Sequence, residues 1–165
     1  MTNCLNIITV NIVEQEWVVN DMREILFKAK TEKIVRTYNN RLDDGVWVQG
    51  YLRCDCGMWL IYQFEYDRAD QVAYEVNPET VCQFTGLHDK NGRKIWENDI
   101  VSEDFRNYKG VIRFGEFESL ELKNVGFNIE WYGGIYYRQD LTYWADKCEI
   151  IGSAIDNPEL LKGCL

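Results

Sequence analysis

Alternation dominates the hydrophobic pattern of this chain. Phe127-Asn128-Ile129-Glu130-Trp131 places apolar side chains at every second position, the period of a strand with one face inward and one outward. Val46 to Leu52 and Met58 to Tyr66 predict the two arms of a hairpin with Cys54-Asp55-Cys56-Gly57 at its tip. In the returning arm Leu60, Tyr62, Phe64 and Tyr66 share one face, against Ile61, Gln63 and Glu65 on the other. Val72, Tyr74 and Val76 mark a further strand, and Asn77-Pro78 breaks it. Near the start, Ile25, Phe27 and Ala29 alternate with Glu24, Lys28 and Lys30, with Leu26 out of phase, which predicts a short strand. Gly110 to Phe114 predicts a strand ended by Gly115, Gly133-Gly134 a hairpin turn, and Lys147 to Gly152 a closing strand. Leu141 to Trp144 reads either as a loop or as one helical turn. Asp156 to Leu161 predicts a short helix, with a polar cap, Pro158 at its first position and Glu159 in its first turn.

The stretch from Phe84 to Val101 carries the strongest punctuation. Asp89-Lys90-Asn91-Gly92 is a β-turn: Asp89 can bond backbone two residues on, and Asn91 and Gly92 tolerate positive φ. Leu87 and Ile95 flank it, so the segment folds back as a hairpin. Glu97-Asn98-Asp99 is a second tight turn that delivers the chain into the β-branched pair Ile100-Val101. An Ile100-Val101 strand, a polar loop and a Gly110-Val111-Ile112 strand is the order in which many SH3-like barrels begin.

Phe84-Thr85-Gly86-Leu87, then Asp89-Lys90-Asn91-Gly92, then Trp96-Glu97-Asn98-Asp99-Ile100-Val101 resembles the hallmark of the YopX-like family of bacteriophage and prophage proteins. Met22 to Ala29 is similar to that family's start, and Ile150-Ile151-Gly152 with Asn157-Pro158-Glu159-Leu160-Leu161 to its finish. The resemblance runs from Met22 to about Leu161 and is loose between Lys30 and Val81. It implies an N-terminal β-rich part, a C-terminal SH3-like barrel and a tendency to self-associate. It implies no settled activity and no agreed catalytic residues, and no cofactor is expected. The chain departs from the pattern at Asn98, where glycine is usual; asparagine is the next-best residue for positive φ.

The expected fold is therefore mostly β. Residues 1–21 form an N-terminal extension, residues 22–83 a β-rich subdomain, and residues 84–165 an SH3-like small barrel with a short C-terminal helix. Leu5, Ile7, Val10 and Ile12 fit an added strand in the extension, but Met22 as natural initiator fits equally. With 46% hydrophobic and 14% aromatic residues in 165, a packed core is within reach and disorder is excluded. The formal net charge is −9 and is spread evenly: residues 1–83 carry 13 acids and 8 bases, residues 84–165 carry 14 and 10. Such a field repels phosphates, which counts against nucleic-acid binding, and serves solubility or a basic partner. No apolar stretch is long enough to span a membrane, and the start lacks the basic residues of a secretory signal, so a cytoplasmic location is expected. In a reducing compartment the six cysteines (Cys4, Cys54, Cys56, Cys82, Cys148 and Cys164) are expected as free thiols.

Candidate chemistry is thin. Cys54-Asp55-Cys56 with Cys82 and His88 suggests zinc in outline, but Cys-x-Cys is too short for the common knuckle and no second pair follows. His88, the single histidine, lies beside Asp89, yet adjacent residues rarely orient one another for catalysis; an exposed turn histidine is the simpler reading. Glu97, Asp99, Glu103 and Asp104 have no known ligand spacing and read as a solvated acidic loop. Aromatics offer more: Tyr132, Tyr137 and Tyr143, with His88 and Trp96, are the expected interaction surface, against core filling as the plain alternative. The expected function is a non-enzymatic accessory protein acting through protein contacts, with itself or with a host or phage protein. A nucleic-acid-binding module and a small hydrolase are the alternatives.

Overall fold

The computed structural model describes residues 24–32, 44–64, 71–103, 108–119, 122–133 and 138–162. Within them the chain is mostly β. In order it forms β1 (Phe27–Lys30), β2 (Trp47–Asp55), β3 (Met58–Phe64), β4 (Gln71–Glu75), a 3₁₀ turn (Pro78–Thr80) and β5 (Cys82–His88). There follow β6 (Lys94–Trp96), β7 (Asp99–Glu103), β8 (Lys109–Ser119), β9 (Leu122–Tyr132), the one-turn helix α1 (Leu141–Trp144), β10 (Cys148–Ser153) and a closing 3₁₀ turn (Pro158–Leu161). Two sheets result, one ordered β4-β3-β2-β1-β5-β6 and the other β10-β7-β8-β9, with every adjacent pair antiparallel. The expected extension at 1–21, the Gly133-Gly134 hairpin return, Tyr137, Asp104, Cys4 and Cys164 lie wholly or partly outside the described residues.

In the first sheet the β2–β3 hairpin closes on Cys56 and Gly57, both at positive φ (49° and 84°), the pairing that matches the right-handed strand twist. Its buried cluster is Ala29, Val48, Ile61, Tyr74 and Val76. Among the described side chains of β3 the fully buried one is Ile61, from the mixed face. A bridge between Thr31 and Val76 joins the end of β4 back to β1, so the sheet curls around this cluster. The curl brings backbone close: a Cβ on Gly50 would lie 2.1 Å from the Tyr62 carbonyl oxygen.

The signature segment folds as its turn residues require. Gly92 donates to the Asp89 carbonyl at 2.8 Å, and β5 and β6 pair as the arms of a hairpin. Asn98 adopts φ 64° in the second turn. Its side chain does what glycine cannot, accepting from an Arg113 Nη1 and approaching the Cys82 sulfur at 3.6 Å. β5 pairs with both β1 and β6, so the signature belongs to the first sheet as far as Trp96 and enters the second only at Asp99. Residue 84 lies inside β5.

The second sheet corrects the expected closed barrel. It is open: β9 and β10 are its two edges and are not neighbours. Closure fails because β10 is spent on β7, and its outer edge is capped by the signature turn. Lys90 N–H donates to the Cys148 carbonyl (3.0 Å), Ile150 N–H to Asp89 Oδ2 (3.1 Å), and Arg93 Nη2 to the Ile150 carbonyl (2.7 Å). β8 does not stop at Gly115 but continues to Ser119. Gly115 and Gly126 face each other across the β8–β9 ribbon. Ser119 near the tip donates its hydroxyl to Asp140, which also bridges to Asn128. A straight strand from Leu122 to Asn128 would cover about 20 Å, so the ribbon bends back. The glycine pair is where it meets least resistance. The core here is Ile95, Val101, Ile112, Ile129, Leu141, Trp144, Ala145 and Cys148, with Phe127 and Trp131 packed against it. Gly110 sits in this ladder because a Cβ there would lie 2.3 Å from Ile129 Cγ2. Asn128, expected outward, is buried under the Asp140 bridge. The closing helix is a 3₁₀ turn, and Asn157 ahead of it accepts from Ser153 N–H (3.3 Å) instead of capping the turn.

Candidate functional site

The two sheets meet along a shallow cleft of about 490 Å³, lined by Lys28, Trp47, Arg93, Asp99, Ile150–Ser153, Asp156 and Asn157. Alternation on β1 puts Lys28 and Lys30 on one face, towards the C-terminal segment. Lys28 Nζ lies 2.7 Å from Asp99 Oδ1 and stands over the Trp47 and Trp96 rings at 5.2 and 5.4 Å. Asp99 Oδ2 also accepts from Trp96 N–H at 2.8 Å. Lys30 pairs with Asp156, and Trp47 Nε1 donates to Asp156 Oδ2 at 2.7 Å. Burial pushes the Asp99 carboxyl above the ordinary carboxylate range, against the pull of Lys28. Asp156 goes the other way: burial opposes, but hydrogen bonds from Lys30 and Trp47 hold it low. These charges meet partners within the protein, so the arrangement clamps one sheet to the other.

The aromatic candidates fall into two separate groups. Trp96 is buried, 5.4 Å from the Phe84 ring, so it belongs to the core and not to an exposed surface. His88 is exposed and meets Phe84 edge-on at 5.7 Å, with Lys94 Nζ 4.9 Å over the same ring. Tyr143 is 41% exposed and packs edge-on against Trp144, which in turn meets Trp131. Arg138 and Lys147 stand 4.6 and 4.2 Å from the Tyr143 ring. Tyr132 is half-buried at the end of β9, opposite Lys109.

His88 and Asp89 do not form a catalytic pair. The Asp89 side chain is buried, and its two oxygens accept from Asn91 N–H, Arg93 N–H, Arg93 Nε and Ile150 N–H. Burial opposes ionisation, but these bonds hold its carboxyl below the ordinary range. Burial pushes the Cys82 thiol up to about 11 and the Cys148 thiol to about 12, so neither is a thiolate at neutral pH. Cys54 and Cys56 are exposed. Among the described residues no three His, Cys, Asp or Glu side chains converge as a metal set.

Three of the four most exposed large apolar side chains among the described residues cluster on one element and were not among the sequence candidates. Val125 is 71% exposed, Leu122 67% and Phe114 57%, all on the bent β8–β9 ribbon. Phe114 and Val125 continue the face that is buried at Ile112 and Ile129, beyond the point where the core ends. The signal was available in Phe114-Gly115-Glu116-Phe117 and Leu122 to Gly126, but reading Gly115 as a strand end removed it. Lys28 and Asp99 carried no signal as a pair, since only the docking of the two sheets joins them.

The fold and these surfaces define an all-β protein of two antiparallel sheets with a clamped junction. The chain belongs to the YopX protein family, whose model matches residues 13–162. Among solved structures it is similar to protein EF1440 from Enterococcus faecalis, at 20% identity and a TM-score of 0.45, over 86% of this chain and 100% of that one. No curated protein matches the chain.

Proposed function

We propose that this protein is a non-enzymatic accessory protein of a bacteriophage or prophage, working in the host cytoplasm through protein contacts, including contacts with its own copies. The observation that carries this reading is the β8–β9 ribbon, which presents Phe114 and Val125 to solvent where a core face runs out. The clamp at Lys28–Asp99 favours a passive scaffold over chemistry, since its charged groups are engaged in holding the sheets. A net charge of −9 favours a basic surface on any partner other than a second copy. Sizing chromatography at micromolar concentration tests self-association. The expected result is an assembly that Phe114→Asp with Val125→Asp dissociates; a wild-type monomer removes self-association from the reading. A pull-down from an infected or lysogenic host tests the wider contact role.

One observation favours a second reading, a nucleic-acid-binding module: exposed Tyr143 lies between Arg138 and Lys147, a cation-flanked ring of the kind on which bases stack. No shift of single-stranded DNA or RNA at low salt removes it.

A further inference from the structure

We propose that the tip of the β2–β3 hairpin, at Cys54 and Cys56, binds a soft metal ion of low coordination number, of the copper(I) type. Soft thiolate donors select such ions. Both thiols are exposed, whereas Cys82 and Cys148 are buried. The tip is held in place by ladder pairs immediately behind it, Cys54 with Trp59 and Asp55 with Met58. Cys56 occupies a left-handed turn position (φ 49°) that turn chemistry reserves for asparagine, aspartate or glycine. A cysteine held there against the local preference is where a functional demand is expected.

Geometry selects the ion over a direct disulfide. Asp55 is extended, so the Cα atoms of Cys54 and Cys56 stand about 6.6 Å apart, at the top of the range of about 4.4–6.8 Å that a disulfide spans. An ion adds two metal–sulfur bonds of about 2.3 Å each and so reaches farther than an S–S bond of about 2 Å. Zinc is disfavoured because no further His, Cys, Asp or Glu joins the pair among the described residues. Met58 pairs with Asp55 and leans to the other face, so its thioether is not counted as a donor. Trp59 pairs with Cys54 on the same face and is 37% exposed, which places an indole beside the ion.

The test is anaerobic titration of the reduced protein with copper(I), supplied as its acetonitrile complex, against a chromophoric copper(I) chelator. One ion per chain is expected, with an ultraviolet thiolate-to-copper band and quenching of Trp fluorescence. Cys54→Ser and Cys56→Ser should each weaken binding at least a hundredfold, while Cys4→Ser with Cys164→Ser leaves it unchanged. Trp59→Phe should keep the stoichiometry and lose most of the quenching. Both cysteines are exposed, so unchanged thermal melting of the serine variants shows that they fold. Binding equal to wild type in Cys54→Ser and Cys56→Ser overturns the proposal. So does failure to compete with the chelator, or an intramolecular Cys54–Cys56 disulfide as the only product on mild oxidation, seen as the loss of two hydrogens by mass. None of these results bears on the contact role of the β8–β9 ribbon.

Discussion

Four donors converge on the carboxylate of Asp89, two on each oxygen. Three come from its own turn, and one of these, Asn91 N–H, was legible: an aspartate opening such a turn bonds the backbone two residues on. The fourth, Ile150 N–H, comes from β10 and was not legible, because nothing local to residues 89–93 says which strand edge will lie alongside. Asp89→Asn should cost about 1–3 kcal/mol, since buried donors lose a charged acceptor. Its pH dependence has a definite sign. The folded carboxyl is held below its ordinary value of 3.8, so the stabilisation is present above that value and lost as pH falls through the folded one. Urea midpoints between pH 6 and pH 2 (spanning about two units on either side of the ordinary value) should drop less steeply in the Asn variant. Gly50 makes the opposite kind of demand, for absence. A Cβ there meets the Tyr62 backbone oxygen, which cannot swing aside. Gly50→Ala should therefore cost about 1–3 kcal/mol, read as a lowered urea midpoint, whereas Gly45→Ala meets nothing within 4 Å and is limited to the strain of its φ of 77°.

At the scale of elements, the β8–β9 ribbon departs most from its sequence reading. Alternation found the half of it that lies on the core, from Gly110 to Phe114 and from Gly126 to Trp131. The outer half was missed because a glycine in a strand signals either an end or a bend, and sequence does not distinguish them. Here two glycines face each other and the ribbon bends, with Ser119 tied to Asp140. Ser119→Ala removes that tie. It should cost about 1 kcal/mol and speed amide exchange across residues 116–125 while leaving exchange in β7 unchanged. The β2–β3 hairpin shows the reverse case. Its tip was legible within Cys54–Gly57 from the strand patterns on either side, yet the face it buries was set by the curl that joins Thr31 to Val76.

The whole molecule depends on how two sheets are fastened. Lys28 on β1 and Asp99 on β7 form the inner contact, Lys30 and Trp47 with Asp156 the outer one. Removing one member of a buried pair leaves an uncompensated charge, so Lys28→Met should cost about 3 kcal/mol. Adding Asp99→Asn should recover part of that loss, a coupling that a double-mutant cycle measures as non-additivity. The pH behaviour is again signed. Burial raises the folded Asp99 carboxyl above its unfolded value, so this group favours the folded state at low pH and withdraws that support as pH rises through the interval between the two values. It thus offsets part of the acid sensitivity contributed by Asp89, Asp140 and Asp156, whose folded values are lowered. Asp99→Asn alone should therefore leave a steeper loss of stability as pH falls towards 3.8 through the interval above it, with no change of slope below that value.

Alone, the amino-acid order settled whatever is decided within a few residues. The strand period, the turns at Asp89–Gly92 and within Cys54–Gly57, positive φ at Asn98 and family membership all follow from neighbours along the chain. Tertiary structure alone decided what depends on distant segments meeting. It left the second sheet open because the signature turn caps β10, buried Trp96 beneath β1, and turned two lysines of an unremarkable strand into the fastening between sheets. The physical reason is one of range. Dihedral preference and side-chain alternation act locally, whereas strand pairing and charge burial depend on which surfaces are brought together when the chain closes its loops.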